Sequence, residues 1–356
     1  MPTASFFLQQ GNLYETTSNG PVFIDSNVPS FATETVGGVT HVFDLTARGQ
    51  VKEFNGFGWA AVTGANTLAT ELVGTGNHVY MEASNSPGGT SQVWQYSESG
   101  TNWTAVTGTN TVVYQIVVTA NTLYMFGGWS GGDAQMVWQY NGSGTNWIPV
   151  TGTNTYVSQI AATDNGLYMR ANNNGGADQV WQYNGWGTSW TALTGTNTNV
   201  SQIAAAGNGL YMTASDGWYI HVWQYSGSGT NWLELSHSAL VSDIEGTQNG
   251  LYMLDHNQVW QYSGSGTWTA VTGTNTSVSQ LASNGAGLYM LAANNGGAPQ
   301  VWQNVGVPNT WTALTFTGAD GISANGTGLY MDVISQGYYY EYVYDGTPGQ
   351  WTEVSP

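Results

Sequence analysis

The chain has 356 residues, with 3 Lys and Arg against 21 Asp and Glu, a net charge of −18 and no Cys. Phosphate backbones and anionic lipid surfaces need clustered Lys and Arg, so nucleic acid and anionic membranes are poor partners and neither nucleic-acid binding nor membrane insertion is expected, and the lack of thiols removes disulfides and thiolate metal sites. No apolar run reaches membrane-spanning length, and MPTASFFLQQGN has no basic region followed by a long apolar core, so no standard signal peptide is read there.

The first segment, residues 1–30, reads SFFLQQGNLYETTSNGPVFIDSN as strand, tight turn, strand, turn, strand. It is an incomplete unit without a recognisable fourth strand. Residues 31–62, FATETVGGVTHVFDLTARGQVKEFNGFGWAAV, supply a diverged complete unit. From there the chain repeats itself. Trp94, Trp138, Trp181, Trp223, Trp260 and Trp302 recur at a period near forty residues, with Lys52 and Tyr344 at the same place in the flanking units. Eight units therefore cover 31–356.

Each unit holds four apolar runs of strand length. VSQIAAT (157–163), GLYMRA (166–171), QVWQYN (179–184) and WTALTG (190–195) are one set, parted by turn-forming DNG, NNGG and NGWG. No segment carries a helical period. Four short strands per unit at this spacing predict an all-β fold, a single β-propeller domain over 1–356 with eight full blades and an N-terminal partial blade in an eight- or nine-bladed ring. Closure is expected to join the SFFLQQ region to the last unit, GISANGTGLYMDVISQGYYYEYVYDGTPGQWTEVSP.

Met81, Met125, Met169, Met212, Met253, Met290 and Met331 each follow a Tyr at one repeat position, as expected of packing between blades. A second Trp series, Trp59, Trp103, Trp147, Trp190, Trp232, Trp268, Trp311 and Trp351, opens the fourth strand after a Gly-rich turn. That turn is similar to the Asp-box of sialidase-type propellers without its aspartate. Sialidase chemistry is excluded, because it grips a carboxylate with several arginines and only Arg48 and Arg170 exist.

Other chemistry is thin. His41, His78, His221, His237 and His256 fall in no metal-ligand spacing, and acidic residues recur in variable loops instead of forming one built pair. No catalysis and no cofactor are expected; acidic loops leave calcium open, although no D-x-D-x-D-G ladder appears.

The units differ at the loop between second and third strands. These tips collect Trp129, Asp133, Asn173, Asn174, Asp178, Trp218, Tyr219, Asn294 and Asn295, and Trp186 departs from the pattern in the opposite turn. An exposed aromatic beside amides and carboxylates suits a sugar, whose apolar face stacks while its hydroxyls take directional hydrogen bonds. These ten residues are the candidate ligand-binding set.

The unit WTALTGTNTNVSQIAAAGNGLYMTAS resembles those of the tectonin and tachylectin-2-like propeller lectins. The resemblance spans the chain as a pattern and implies repeated shallow carbohydrate sites without catalysis. The WQY and LYM strands, the number of blades and the scarcity of basic residues depart from those families. A multivalent lectin with glycan partners, outside the cell or on its surface, is the first expectation. A structural or adhesive module that binds other proteins is the second.

Overall fold

The structure is a computed structural model that describes residues 5–355 apart from 55, 86–88, 98–99, 120, 130–134, 174–175, 208, 236–239, 316–317 and 326–327. It is all-β, a propeller built of one three-stranded sheet and eight four-stranded antiparallel blades. The N-terminal sheet comprises Ser5–Gln9, Asn12–Thr17 and Gly20–Ser26. Blade 1 comprises Ser30–Val36, Val39–Leu45, Val51–Phe54 and Trp59–Ala61. Blades 2 to 8 repeat this meander over 68–105, 111–149, 155–192, 199–234, 241–270, 276–313 and 321–355. The unit count matches the repeat count.

The repeated letters each serve a joint. In the Val-Thr or Leu-Thr pair that closes these units, the Thr hydroxyl accepts the N–H of the third-strand Val: Val93 to Thr107, Val137 to Thr151, Val180 to Thr194, Val259 to Thr272 and Val301 to Thr315, all at 3.0 Å. Where Gly follows, it starts a tight turn, as in Thr111 N–H to Gly108 O at 3.1 Å, that feeds the next blade. The seven repeat-position Met side chains are all buried between blades, as expected.

In V-S-Q-I the Ser forms a bulge, and its register shift turns the next side chain toward the following blade. Gln159 thus accepts the N–H of Ile203 at 3.1 Å, Gln202 that of Ile244 at 3.1 Å, and Gln280 that of Ile322 at 2.9 Å. Two members of this series are acids. Glu71 accepts the N–H of Ile116 at 2.6 Å, and Asp243 that of Leu281 at 3.2 Å. Burial pushes Glu71 up to about 8 and Asp243 up to about 6, and it pushes Glu245, two residues on, up to about 8 with the Asp243 charge adding to the rise.

The second Trp series forms another staple. Seven of its members donate the indole N–H to the carbonyl that ends the preceding blade, from Trp103 on Val62 to Trp351 on Leu314, at 2.7 to 3.0 Å. The eighth, Trp59, follows the N-terminal sheet, and its buried Nε1 has no acceptor among the described residues. Val28, which closes that sheet as Val62 closes blade 1, instead receives the Asn249 amide at 3.5 Å.

Chain direction identifies the three N-terminal strands. Gly20–Ser26 leads directly to the innermost strand of blade 1, as every outer strand leads to its successor. Among the described residues the sheet therefore contains second, third and fourth strands and no innermost one, a correction to the reading that its fourth is absent. Its inward face packs Leu13 and Val28 against Val42 of blade 1.

Closure also differs from expectation. Ser5–Gln9 pairs with Asn12–Thr17, and among the described residues it does not pair with the last unit. The innermost strands of blades 1 to 8 pack side by side in sequence, but those of blades 8 and 1 do not adjoin in that way. The ends overlap face on face instead. The Gln248 amide both accepts from and donates to the backbone of Phe31, at 2.8 and 3.0 Å. Asn249 accepts the Gly11 N–H at 3.1 Å and donates to Pro29 O at 3.1 Å. Ser30 Oγ donates to Gly285 O at 2.8 Å. A Cβ on Gly285 would lie 2.7 Å from Thr70 O, so only glycine permits the approach. The upper ends of the first blades thus lie against the lower turns of blades 6, 7 and 8. Each joint is satisfied locally, and nothing in the joint chemistry requires the blades to close into one full turn.

Candidate functional site

The antiparallel meander puts two sets of connections on one face of each blade: the link from the previous blade and the loop between second and third strands. This connector face carries most of the sequence-predicted residues. Asp133 and Asn174, and the side chains of Trp129 and Asn173, lie outside the described residues.

Blade 5 has the most developed arrangement. Its second and third strands, Gly209–Ser215 and Ile220–Tyr225, stay paired up to Ser215 and Ile220, leaving a four-residue tip. Asp216 Oδ1 accepts the N–H of Trp218 and of Tyr219, both at 2.9 Å, and Ser215 Oγ accepts that of Gly217 at 3.0 Å. The two N–H bonds hold the Asp216 carboxyl below the usual carboxylate range. Ile220 also bridges to Leu240 at the start of blade 6. The backbone is therefore fixed while the indole of Trp218 is 90% exposed and Tyr219 is 49% exposed. Behind them His221 Nδ1 lies 2.7 Å from Glu234 Oε1, and Nε2 lies 3.7 Å from Asp216 Oδ2. The Tyr219 ring meets His221 edge-on at 6.4 Å.

Blade 8 repeats the theme by different means. Gln336 and Gly337, both with positive φ, make a tight turn between Gly328–Ser335 and Tyr338–Tyr344. The tip exposes Tyr338 (68%) and Tyr339 (54%). Asp320 accepts the Ile334 N–H and Asp332 accepts the Tyr339 hydroxyl, each at 2.6 Å. The Asp332 carboxylate pushes the Tyr339 phenol up to about 12. This pair was missed because YYYEY reads as strand; the preceding Q-G, a turn signal before three aromatics, was the available clue.

The other predicted residues have local tasks. Asp178 accepts the Asn172 amide at 2.8 Å and lies 3.3 Å from Arg170 Nε, so it neutralises a half-buried guanidinium. Asn294 accepts the Thr276 hydroxyl at 2.9 Å, and Asn295 takes the left-handed turn position that Asn tolerates. Trp186 is 70% exposed, in the turn between third and fourth strands of blade 4, on the opposite face. The structure thus brings Trp218 and Tyr219 together with Asp216, His221 and Glu234, and leaves Trp186 apart. Among the described residues no three His, Asp or Glu side chains form a group fit to hold a metal ion.

No protein-family model matches the chain, and no curated protein matches it. Solved structures do. A Mycobacterium tuberculosis puromycin-hydrolysing peptidase superposes with a TM-score of 0.50 at 9% identity, over 96% of this chain and 60% of its own. The likeness shows the fold alone. A GH74 enzyme from Niastella koreensis (TM-score 0.42, 14% identity, 98% of this chain and 70% of its own) and YCF48 bound to D1 peptide (0.42, 10%, 82% and 94%) are weaker matches. The chain spans about half of the prolyl endopeptidase and three-fifths of the puromycin-hydrolysing peptidase that it matches.

Proposed function

We propose that the chain is a multivalent carbohydrate-binding protein that holds glycans at the hairpin tips of its connector face, without catalysis. The observation that carries this is Trp218, a fully presented indole on a backbone fixed by Asp216. A large aromatic held out in water on a rigid tip has its hydration cost already met in the free protein, and a sugar's C–H face removes that cost on stacking. Asp216, Glu234 and His221 stand within reach as partners for hydroxyls. The resemblance of the unit to tectonin and tachylectin-2-like lectins supports the same reading. Repetition around a rigid scaffold turns weak sites into avid ones. Glycans outside the cell or on its surface are the expected partners, consistent with a chain only 7% charged.

The test is a glycan array with labelled protein, followed by Trp218→Ala. Binding to a related set of sugars that drops about tenfold in the variant, with an unchanged melting curve, supports the assignment. A folded protein silent across the array overturns it and favours the adhesive module. The exposed Ile148 and Leu233 on the outer strands of blades 3 and 5 would then be the first surface to examine.

A further inference from the structure

Each complete blade turns one cross-strand row toward the blade before it. In blade 4 the row is Met169, Trp181 and Ala192, and its Met and Trp cluster with Tyr124, Val137 and Val150 of blade 3. The N-terminal sheet has the same row, formed by Phe7, Tyr14 and Phe23. Among the described residues no blade precedes it. Phe7 stacks on Tyr14 with ring centres 5.4 Å apart, and Tyr14 meets Phe23 edge-on at 5.9 Å. Phe7 and Tyr14 are half-buried, and Phe23 is 56% exposed. The flanking rows are uncharged: Ser5, Thr16 and Pro21 on one side, Gln9, Asn12 and Ser26 on the other. Both acids of the sheet lie on its opposite face, where Glu15 is in register with Phe6 and Asp25 with Leu13, two residues packed toward blade 1. An aromatic centre inside an uncharged polar rim has the anatomy of a protein interface.

The other end of the chain differs in one respect that selects the occupant. The third-strand Val that faces the next blade, Val180 in blade 4, is fully buried in blades 2 to 7. In blade 8 the same position is Glu341, paired across the strands with Asp332. A second copy that continued the series head to tail would press these two carboxylates onto Phe7 and Phe23. Ser5–Ser26 contains no Lys, Arg or His to compensate them, so that arrangement carries an unpaid desolvation cost. The aromatic row of a second copy brings no charge at all. Its order, Phe, Tyr, Phe, suits a two-fold axis through Tyr14, which sets Phe7 of each copy against Phe23 of the other.

We propose that two copies of the chain associate through their N-terminal sheets, aromatic row against aromatic row, in an isologous dimer, and that the charged outer face of blade 8 keeps assembly from going further. The pairing holds whatever the connector face binds. A patch three strands wide is smaller than a standard interface, so a dissociation constant of about 10 to 100 µM is expected. Each copy carries a net charge of −18. Salt screens the repulsion between copies without weakening apolar contact, so the dimer tightens as salt rises, opposite to an ion-paired interface.

The experiment is sedimentation velocity of the full chain from about 1 to about 500 µM, at about 0.05 and about 0.5 M sodium chloride. The expected result is a monomer–dimer equilibrium that shifts toward dimer at the higher salt. Phe23→Asp weakens it by about tenfold or more. Thr16→Glu, which charges the rim and leaves the rings in place, also weakens it and decides the matter if Phe23→Asp fails to fold. Val22→Asp, on the same strand but in register with Glu15 on the opposite face, leaves it unchanged. A chain that stays monomeric at every concentration and salt overturns the proposal and leaves the row to a different partner. A dimer indifferent to both Phe23→Asp and Thr16→Glu overturns it as well, since the contact then lies elsewhere. Growth beyond the dimer, or a dimer that loosens as salt rises, overturns it too.

Discussion

Single side chains in this fold act mostly as joints between neighbours, and their costs can be compared within one molecule. Trp147→Phe removes the indole donor to Val106 O and leaves that carbonyl without it, which is expected to lower stability by about 1 kcal/mol. Trp59→Phe is expected to cost clearly less, because its buried Nε1 has no acceptor to lose. Denaturant melts of the two variants check the contrast, and equal losses would show that packing dominates the series. The buried acids set the pH response. Glu71 and Glu245 are raised to about 8 and Asp243 to about 6 in the fold, whereas unfolded they ionise near the ordinary carboxyl values of 4.5 and 3.8. The unfolded chain therefore binds fewer protons between those limits. Stability is fullest in mild acid, falls as pH rises toward about 8, then levels, each group contributing up to about 1.4 kcal/mol per pH unit of its shift. Melting temperatures measured from mild acid to mild base should decline, and Glu245→Gln should flatten the decline.

At the level of strands and hairpins, much was legible. Four strands per unit, their order, and the buried Met and partly buried Trp positions follow from alternation and from residues locked to the repeat. Trp218 stood out because it breaks the pattern. The limits have physical causes. Tyr338 and Tyr339 were hidden, because a run of aromatics has the same strand propensity whether it is buried or lifted past the sheet by a tight turn. Asp178 and Asn294 looked like ligand groups, yet their polar atoms are used by Arg170 and Thr276, and Asn295 serves the left-handed position of its turn. Nothing in local sequence says which bond a loop amide has already made. The hairpin of blade 5 tests how far its function depends on a fixed backbone. Asp216→Ala removes two N–H acceptors but keeps Trp218, and glycan affinity should fall several-fold while the global melting temperature shifts little. An unchanged affinity would mean that the ring alone suffices.

The least legible feature of the whole molecule is how its ends meet. Gln248 and Asn249 occupy a turn that elsewhere reads TDNG or AGNG, and only the assembled structure brings them onto Gly11, Pro29 and Phe31. Replacing both by Ala should release the N-terminal sheet. Hydrogen exchange at Asn12–Thr17 is then expected to quicken by an order of magnitude or more, while blades 3 to 5 keep their protection. Uniform quickening would indicate that the overlap holds the entire array together. The overlap has another consequence. A closed ring is a circumference to be filled, so gaining or losing a unit strains every wedge in it. Two faces that slide past one another impose no such integer. Duplication or deletion of one repeat would shift the register of the overlap and leave the remaining joints as they are, so the number of hairpin tips on the connector face is free to change over evolution as a matter of copy number.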